Sequence, residues 1–208
     1  MNNYRIIEYG SSDEVAIGIP CSVDYLERAT RVVPTYLRRA KYPCKICLIL
    51  DLCTPWLGAN KACNYGIDNI NTKYYLYTGV DYFPSIGYLK VAMNTIKETG
   101  KKVFCFNDGK WFGEHCSIAL VDREYARSIY GSGLFYNGYY HGGADTEINI
   151  IYSKDNQVCY NPEAIIMEID YEKSFDRTFW DGMDTKLFDT RMEVIKNDKI
   201  QSIEEPHL

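Results

Sequence analysis

Short apolar runs alternate with helix-like patterns along the first 107 residues of the chain. The apolar runs predict four strands, which cover 15–20, Lys45–Asp51, 73–80 and 102–106. Between them, apolar residues recur every three or four positions, which predicts helices over 22–40, 60–69 and 84–99. This alternation is typical of an α/β fold, with a mostly parallel central sheet sandwiched between helices.

The pattern is less regular after Gly109. It predicts a strand over 117–121, a short helix over 122–130 and a further helix beginning at Asp145. Two short strands are expected within 157–170, and the remainder, 171–208, is expected to wrap or cap the domain.

Two local signals refine the first predicted helix. Ser22 is suited to act as its N-cap, because a serine hydroxyl can accept a hydrogen bond from a free N–H of the first turn. Pro34 interrupts the apolar pattern and predicts a kink, or a division into two shorter helices.

Length and charge exclude several classes of protein. A chain of 208 residues without a linker-like segment predicts one domain over 1–208. The net charge of −5 argues against a surface built throughout for nucleic acid. The basic stretch 28–45 is most simply a solvated helix face, although it could instead meet an anionic acceptor. No apolar run is long enough to span a bilayer.

The eight cysteines raise the question of disulfides or zinc. The first residues do not have the pattern of a secretory signal, so we expect a reduced protein in the cytoplasm. Cys44 and Cys47 form a CxxC motif, followed by Cys53 and Cys63. Because the first two flank an apolar strand, burial as small hydrophobic residues is favoured over a zinc site.

Pro20 ends the first predicted strand, and acidic residues lie at the ends of the next two. Asp51 and Asp81 come at the ends of the second and third strands, where α/β sheets bind ligands. Either could simply form a turn, because aspartate often bonds its own backbone there. Asp145 and Glu147 form a further acidic pair, which could cap a helix or serve as a fixed general base.

The order of these features resembles the family 2-like glycosyltransferases with the GT-A fold. The segment ACNYGIDNINTKYYLYTGVDYFPSIGYL, 62–89, is similar to their Asn-x-Gly helix, apolar strand and Asp-x-Asp motif. Asn64 and Gly66 match the helix, and Asp81 matches the last acid of the motif. The stretch from Ala119 to Glu163 is similar to their acceptor half. The likeness covers roughly 14–170.

The resemblance implies a role for each matching residue. It implies a nucleotide-sugar-binding half over 14–107, with the following contacts: Pro20, Asp51, Asn64, Gly66, Gly79 and Asp81. It implies Mn²⁺ or Mg²⁺ held by Asp81, with Glu168 or Asp170. In the acceptor half, 108–170, Asp145 would be the catalytic base of an inverting transfer. Further sugar or acceptor contacts would come from Trp111, Tyr139, His141, Gly142, Gly143 and Glu147.

The sequence departs from this family in ways that leave alternatives open. Gly79 stands where the motif has its first acid, and the usual metal-binding histidine is absent from MEIDYE, 167–172. We expect a hexosyltransferase-type enzyme that uses a UDP-sugar and a hydroxyl acceptor; an anionic acceptor, including modified nucleic acid, is a further option. The alternatives are a catalytically silent binding module of the same fold and a nucleotidyltransferase.

Overall fold

The computed structural model describes residues 3–169 and the helix over 178–196, the latter with side chains from residue 182 onward. The strands are β1 (Tyr4–Gly10), β2 (Val15–Ser22), β3 (Lys45–Asp51), β4 (Tyr74–Tyr77), β5 (Tyr82–Pro84), β6 (Val103–Asn107), β7 (Ala119–Asp122) and β8 (Val158–Glu168). The helices are α1 (Leu26–Ala40), α2 (Ala59–Asn69), α3 (Tyr88–Thr99), α4 (Arg123–Tyr130), α5 (Ala144–Lys154) and α6 (Thr178–Lys196).

The strands form one sheet in the order β1-β3-β2-β4-β7-β6-β8-β5. Strands β2, β3 and β4 pair in parallel, and β6 pairs in parallel with β8. Because β7 is antiparallel to both β4 and β6, all five of these strands run in the same direction. The predicted α/β fold is confirmed, and the sheet is mixed because β1, β5 and β7 run the other way.

Some elements differ from the pattern-based prediction. Strands β1 and β5 were not predicted, because β1 is a half-exposed edge strand and β5 has only three residues. Strand β8 is a single strand of 11 residues with an irregular register against β6, where two short strands were expected. Helix α3 begins at Tyr88 because Gly87 before it has a left-handed backbone.

Pro34 lies inside one continuous helix, so the expected division of α1 is wrong. A 3₁₀ turn, Val23–Tyr25, precedes the helix and takes up the change of direction after β2. Ser22 makes no side-chain capping bond, because it belongs to the end of β2.

The hydrophobic core lies on both faces of the sheet. One face packs against α1 and α3 and includes Cys44, whereas the other packs against α2, α4 and α5 and includes Cys47. The two thiols of the CxxC motif therefore point to opposite sides of the sheet, which excludes a shared zinc ion. Burial raises the pKa of the Cys47 thiol to about 12, as expected for a thiol that acts as a hydrophobic residue.

Cys105 on β6 and Cys116 in the loop before β7 are paired, with their Cα atoms 5.3 Å apart. The other six cysteines are free, and the reduced state expected of the protein stays a prediction. Among the described helices, none combines the length and the apolar character that crossing a bilayer requires.

Candidate functional site

Acidic residues from several elements meet at one edge of the sheet. Strand β3 ends at Asp51, β6 is followed directly by Asp108, and β8 ends at Glu168. Asp81 follows β4 by four residues and immediately precedes β5. Because β3, β4, β6 and β8 run in one direction, their carboxyl ends share an edge, where open α/β sheets bind ligands.

Asp81 has a carboxylate that makes no hydrogen bond or ion pair with any described residue. The side chain is partly buried and folds back over Gly79, where a Cβ would lie only 2.6 Å from Asp81 Oδ1. The same Cβ would lie 2.9 Å from the ring of Tyr82. An acid at position 79, the first acid of the Asp-x-Asp motif, would place its Cβ in this space. Asp81 and Tyr82 already occupy it.

Asp145 lies on the first turn of α5, in the same region. Its Oδ1 accepts a hydrogen bond from Thr146 N at 2.9 Å, and its Oδ2 lies 3.2 Å from His115 Nε2. Burial raises the pKa of Tyr82, and the charges of Asp81 and Asp145 raise it further. The Asp145 side chain is 38% exposed, so an acceptor hydroxyl can reach it.

Asp108 organises the loop that brings His115 to Asp145. Its Oδ1 accepts from Trp111 N at 2.7 Å and Lys110 N at 2.9 Å, and its Oδ2 accepts from Ser117 Oγ at 2.5 Å. Burial alone would raise the pKa of this carboxyl, but these hydrogen bonds hold it below its ordinary value. Sequence reasoning missed Asp108, although its position directly after a predicted strand was the signal that could have revealed it.

Trp111 is carried by the same loop and is 54% exposed. Its ring centroid lies 5.6 Å from that of His115, in an edge-on arrangement. This exposed aromatic face beside the Asp145–His115 pair is suited to pack on a sugar ring.

Glu168 is brought next to Asp81 by the last ladder of the sheet. Tyr82 pairs with Glu168, and Ile169 N donates to the Asp81 carbonyl oxygen at 2.7 Å. The ammonium group of Lys110 forms an ion pair with the Glu168 carboxylate. Asp170, the other expected metal ligand, lies outside the described residues.

Among the described residues, a divalent cation could be held at a site shared with a ligand. Within 3–169 and the described side chains of α6, no three His, Cys, Asp or Glu side chains converge to hold a metal. The unpartnered Asp81 carboxylate and the neighbouring Glu168 still fit Mg²⁺ or Mn²⁺, since such ions often take one or two carboxylates and complete their shell with phosphate oxygens and water.

Other residues expected at a nucleotide site have structural partners. Both oxygens of Asp51 accept backbone N–H groups, from Cys53 at 2.9 Å and Leu57 at 2.7 Å, and its side chain is fully buried. The Asn64 amide is bonded to the backbone of residues 134 and 135. These two residues order loops, so their expected ligand contacts are corrected.

Gly66 and Pro20 also have structural roles. A Cβ at Gly66 would lie 2.5 Å from Ile49 Cδ1, so this glycine permits close packing of α2 on the sheet. Pro20 pairs with Ile49 inside β2, which continues to Ser22 rather than ending at Pro20.

The predicted sugar or acceptor contacts of α5 and the loop before it are mostly internal. Tyr139 and Glu147 are fully buried and bonded to each other at 2.6 Å, which removes both from any ligand. The backbone N–H groups of His141 and Gly142 bond to Asp184, and Gly143 makes the turn into α5. This burial depends on partners on α6 that are distant in sequence. No local sequence pattern reveals such partners.

A separate groove of about 920 Å³ runs along the outer face of α2. Its lining includes Lys61, Asn64 and Asp68 from the helix, Tyr130 at the end of α4 and Tyr136 beyond it. None of Asp81, His115 or Asp145 contributes to it, so the groove and the acidic edge are distinct places on the molecule.

Comparison with solved structures places this geometry among known folds. A mannosyltransferase from Pyrobaculum calidifontis, PcManGT, in complex with GDP-Man and Mn²⁺, is similar with a TM-score of 0.59 at 12% identity, over 78% of this chain and 58% of that one. TarS 1-349 of S. aureus in complex with UDP-GlcNAc is similar with a TM-score of 0.58 at 12% identity, over 92% of this chain and 68% of that one. The fold is GT-A-like.

The likeness extends to the fold alone at this identity. No protein-family model matches the sequence, and no curated protein matches it. The chain spans about three fifths of PcManGT and of a further TarS 1-349 structure, at 58% and 60% of their lengths.

Proposed function

We propose that this chain is a glycosyltransferase that moves a sugar from a nucleoside diphosphate sugar to an acceptor hydroxyl with inversion. The observation that carries the proposal is the accessible Asp145 carboxylate, held 3.2 Å from His115 at the start of α5, together with Asp81 at the carboxyl edge of a GT-A-like sheet. One carboxylate is unpartnered and suited to a cation, and the other is fixed on a helix and accessible. A UDP-sugar is the favoured donor from the sequence resemblance, and a GDP-sugar belongs in the same test, because the folds of the UDP-GlcNAc complex of TarS and of the GDP-Man complex of PcManGT are similar to that of this chain.

The donor would bind with its diphosphate at Asp81 and Glu168. These residues would hold Mn²⁺ or Mg²⁺, which when bound supplies the positive charge that stabilises the diphosphate leaving group. Lys110, already at Glu168, can turn to a phosphate oxygen and contribute a second positive charge.

Asp145 would act as the general base. Its free lone pairs accept the proton of the acceptor hydroxyl as that oxygen forms a bond to the anomeric carbon. The bond from the anomeric carbon to the phosphate oxygen breaks, and the diphosphate leaves with the electron pair. His115 holds the carboxylate in place, and Trp111 offers a face for the sugar.

A panel of nucleotide sugars with and without Mn²⁺ tests this proposal by thermal unfolding and by product analysis. We expect one donor to raise the melting temperature, more strongly with Mn²⁺, and to yield the nucleoside diphosphate. Asp145→Asn should keep the shift and lose transfer by at least about 100-fold. Release of pyrophosphate would indicate a nucleotidyltransferase, and no shift with any donor would contradict the proposal.

A silent binding module of the same fold is the second candidate. It is favoured by one observation, the replacement of the first motif acid by Gly79 with its space occupied by Asp81. This candidate predicts a donor-induced shift without transfer or donor hydrolysis, in the wild type as well as in Asp145→Asn.

A further inference from the structure

Asp145 lies between two points of the chain that helix α6 holds in place. The first is the segment 140–142, directly before α5. The Asp184 carboxylate accepts three backbone hydrogen bonds there, from Tyr140 N at 3.1 Å and from His141 N and Gly142 N at 2.7 Å each. Asp184 is only 2% exposed, so these bonds are shielded from water.

The second point held by α6 is Glu147, which follows Asp145 by two residues on the first turn of α5. Arg191 Nη2 lies 2.7 Å from Glu147 Oε1, and Arg191 Nε lies 3.1 Å from the same oxygen. Both side chains are fully buried. The hydroxyls of Tyr130 and Tyr139 also donate to Glu147, at 2.7 Å and 2.6 Å. Such a pair has a strongly preferred geometry, because any separation would leave a buried charge without a partner.

The turn between these two points lies directly against α6. Gly143 has a left-handed backbone with a φ of 78°, and a Cβ there would lie 3.3 Å from the ring of Phe188. The backbone at Gly143 therefore passes close to α6, where a side chain would be crowded. Asp145 follows two residues later.

We propose that α6 is the positioning element of the catalytic base, with Asp184 and Arg191 as positioning residues for Asp145. This inference rests on the proposed function. Each fixes the chain on one side of Asp145, so that the Asp145 carboxylate meets the acceptor hydroxyl at a defined distance. Misplacement of a reacting group by about 1 Å can lower a rate by about 100-fold, which sets the expected size of the effect.

The main test compares Asp184→Asn with Asp189→Asn, the same substitution at an exposed position of the same helix. In Asp184→Asn, an amide NH₂ must face one of the backbone N–H groups, so at least one of the three bonds is lost. We expect kcat to fall by about 10- to 100-fold, with the donor KM and the donor-induced melting shift unchanged. Asp189→Asn should behave as the wild type.

A structural readout tests the same idea without activity. Hydrogen exchange should become faster in Asp184→Asn at 140–147 and remain unchanged in the central strands. Arg191→Lys, which keeps the charge but loses the guanidinium fork, should have an intermediate effect and serves as the second variant if Asp184→Asn does not fold.

The possible outcomes separate the two proposals. Equal kcat in Asp184→Asn and Asp189→Asn would overturn the positioning role, as would an equal loss of donor binding and turnover. If the wild type transfers no sugar, the proposed function fails, and unchanged exchange at 140–147 in Asp184→Asn would then overturn the positioning role by itself.

Discussion

The Asp145 carboxylate and the His115 imidazole meet at 3.2 Å, joining the start of α5 to the loop that follows β6. Both lie at the edge where the strands β3, β4, β6 and β8 end. The His115 side chain is 16% exposed and is packed by Trp111, so the contact is partly shielded from water. This contact fixes the direction of the Asp145 carboxylate, the proposed general base.

Removal of His115 should lower the rate of transfer. We expect His115→Ala to reduce kcat by about 10-fold, because Asp145 loses the hydrogen bond that orients it. His115→Gln, whose amide N–H can donate to Asp145, should recover part of the loss. Steady-state kinetics at saturating donor measure the effect, and melting temperature checks folding. A kcat for His115→Ala equal to that of the wild type would contradict the role.

Addition of a single methyl group at Gly79 should disturb the metal and donor site. The new Cβ would lie 2.6 Å from Asp81 Oδ1 and 2.9 Å from the Tyr82 ring. We expect Gly79→Ala to lose about 1 to 3 kcal/mol of unfolding free energy and to weaken the Mn²⁺-dependent donor shift.

The control for Gly79 is Gly182→Ala on α6. No atom of the described residues lies within 4 Å of a Cβ at that position, so this variant should be as stable as the wild type or slightly more stable. Urea unfolding and donor titration with Mn²⁺ or EDTA measure both effects. Identical behaviour of Gly79→Ala and the wild type would show that Asp81 does not need this space.

Asp108 should make stability depend on acid pH. Hydrogen bonds hold the pKa of Asp108 below its ordinary value in the folded chain, against the opposing effect of burial. Its contribution is therefore fully present above the unfolded-state pKa of about 3.9 and is lost as the pH falls through the folded-state pKa.

Asp108→Asn should thus be less stable than the wild type at pH 7 by about 1 to 3 kcal/mol. The difference between the two proteins should narrow as the pH falls below about 4. Urea unfolding at several pH values measures this difference, and a gap that stays constant from pH 7 to pH 3 would exclude the carboxylate as its cause.

Tyr75→Phe should stabilise the fold. The Tyr75 hydroxyl lies in a slot between Gly18 on β2 and Gly66 on α2, where a Cβ on either glycine would lie within 2.4 Å of the hydroxyl oxygen. This oxygen is buried without a hydrogen-bond partner among the described residues. Removal of an unsatisfied buried polar group should raise the unfolding free energy by about 1 kcal/mol.

Tyr139→Phe is the matched control, since the Tyr139 hydroxyl donates to the buried Glu147 carboxylate at 2.6 Å. This variant should lose about 1.5 to 3 kcal/mol, because the buried Glu147 carboxylate then loses one of its hydrogen-bond donors. Thermal and urea unfolding of both variants measure the contrast, and destabilisation of the same size in both would contradict the unsatisfied state of Tyr75.

The sequence by itself determined the α/β class, the bounds of Lys45–Asp51 and the presence of acids after the strands. These properties follow from local periodicity and chain direction, which neighbouring residues specify. The family resemblance led to an expected ligand contact for Glu147, although an acidic residue on a first helical turn also suits the helix dipole.

Only the tertiary structure decided which acids remain available. Glu147 is buried because Arg191, 44 residues later, supplies its charge partner, and Asn64 is occupied by a loop about 70 residues away. Asp81 remains without a partner among the described residues, whereas Asp108 is engaged by Ser117. Hydrogen-bond partners distant in sequence consume some polar groups and leave others free, and no local pattern encodes that distribution.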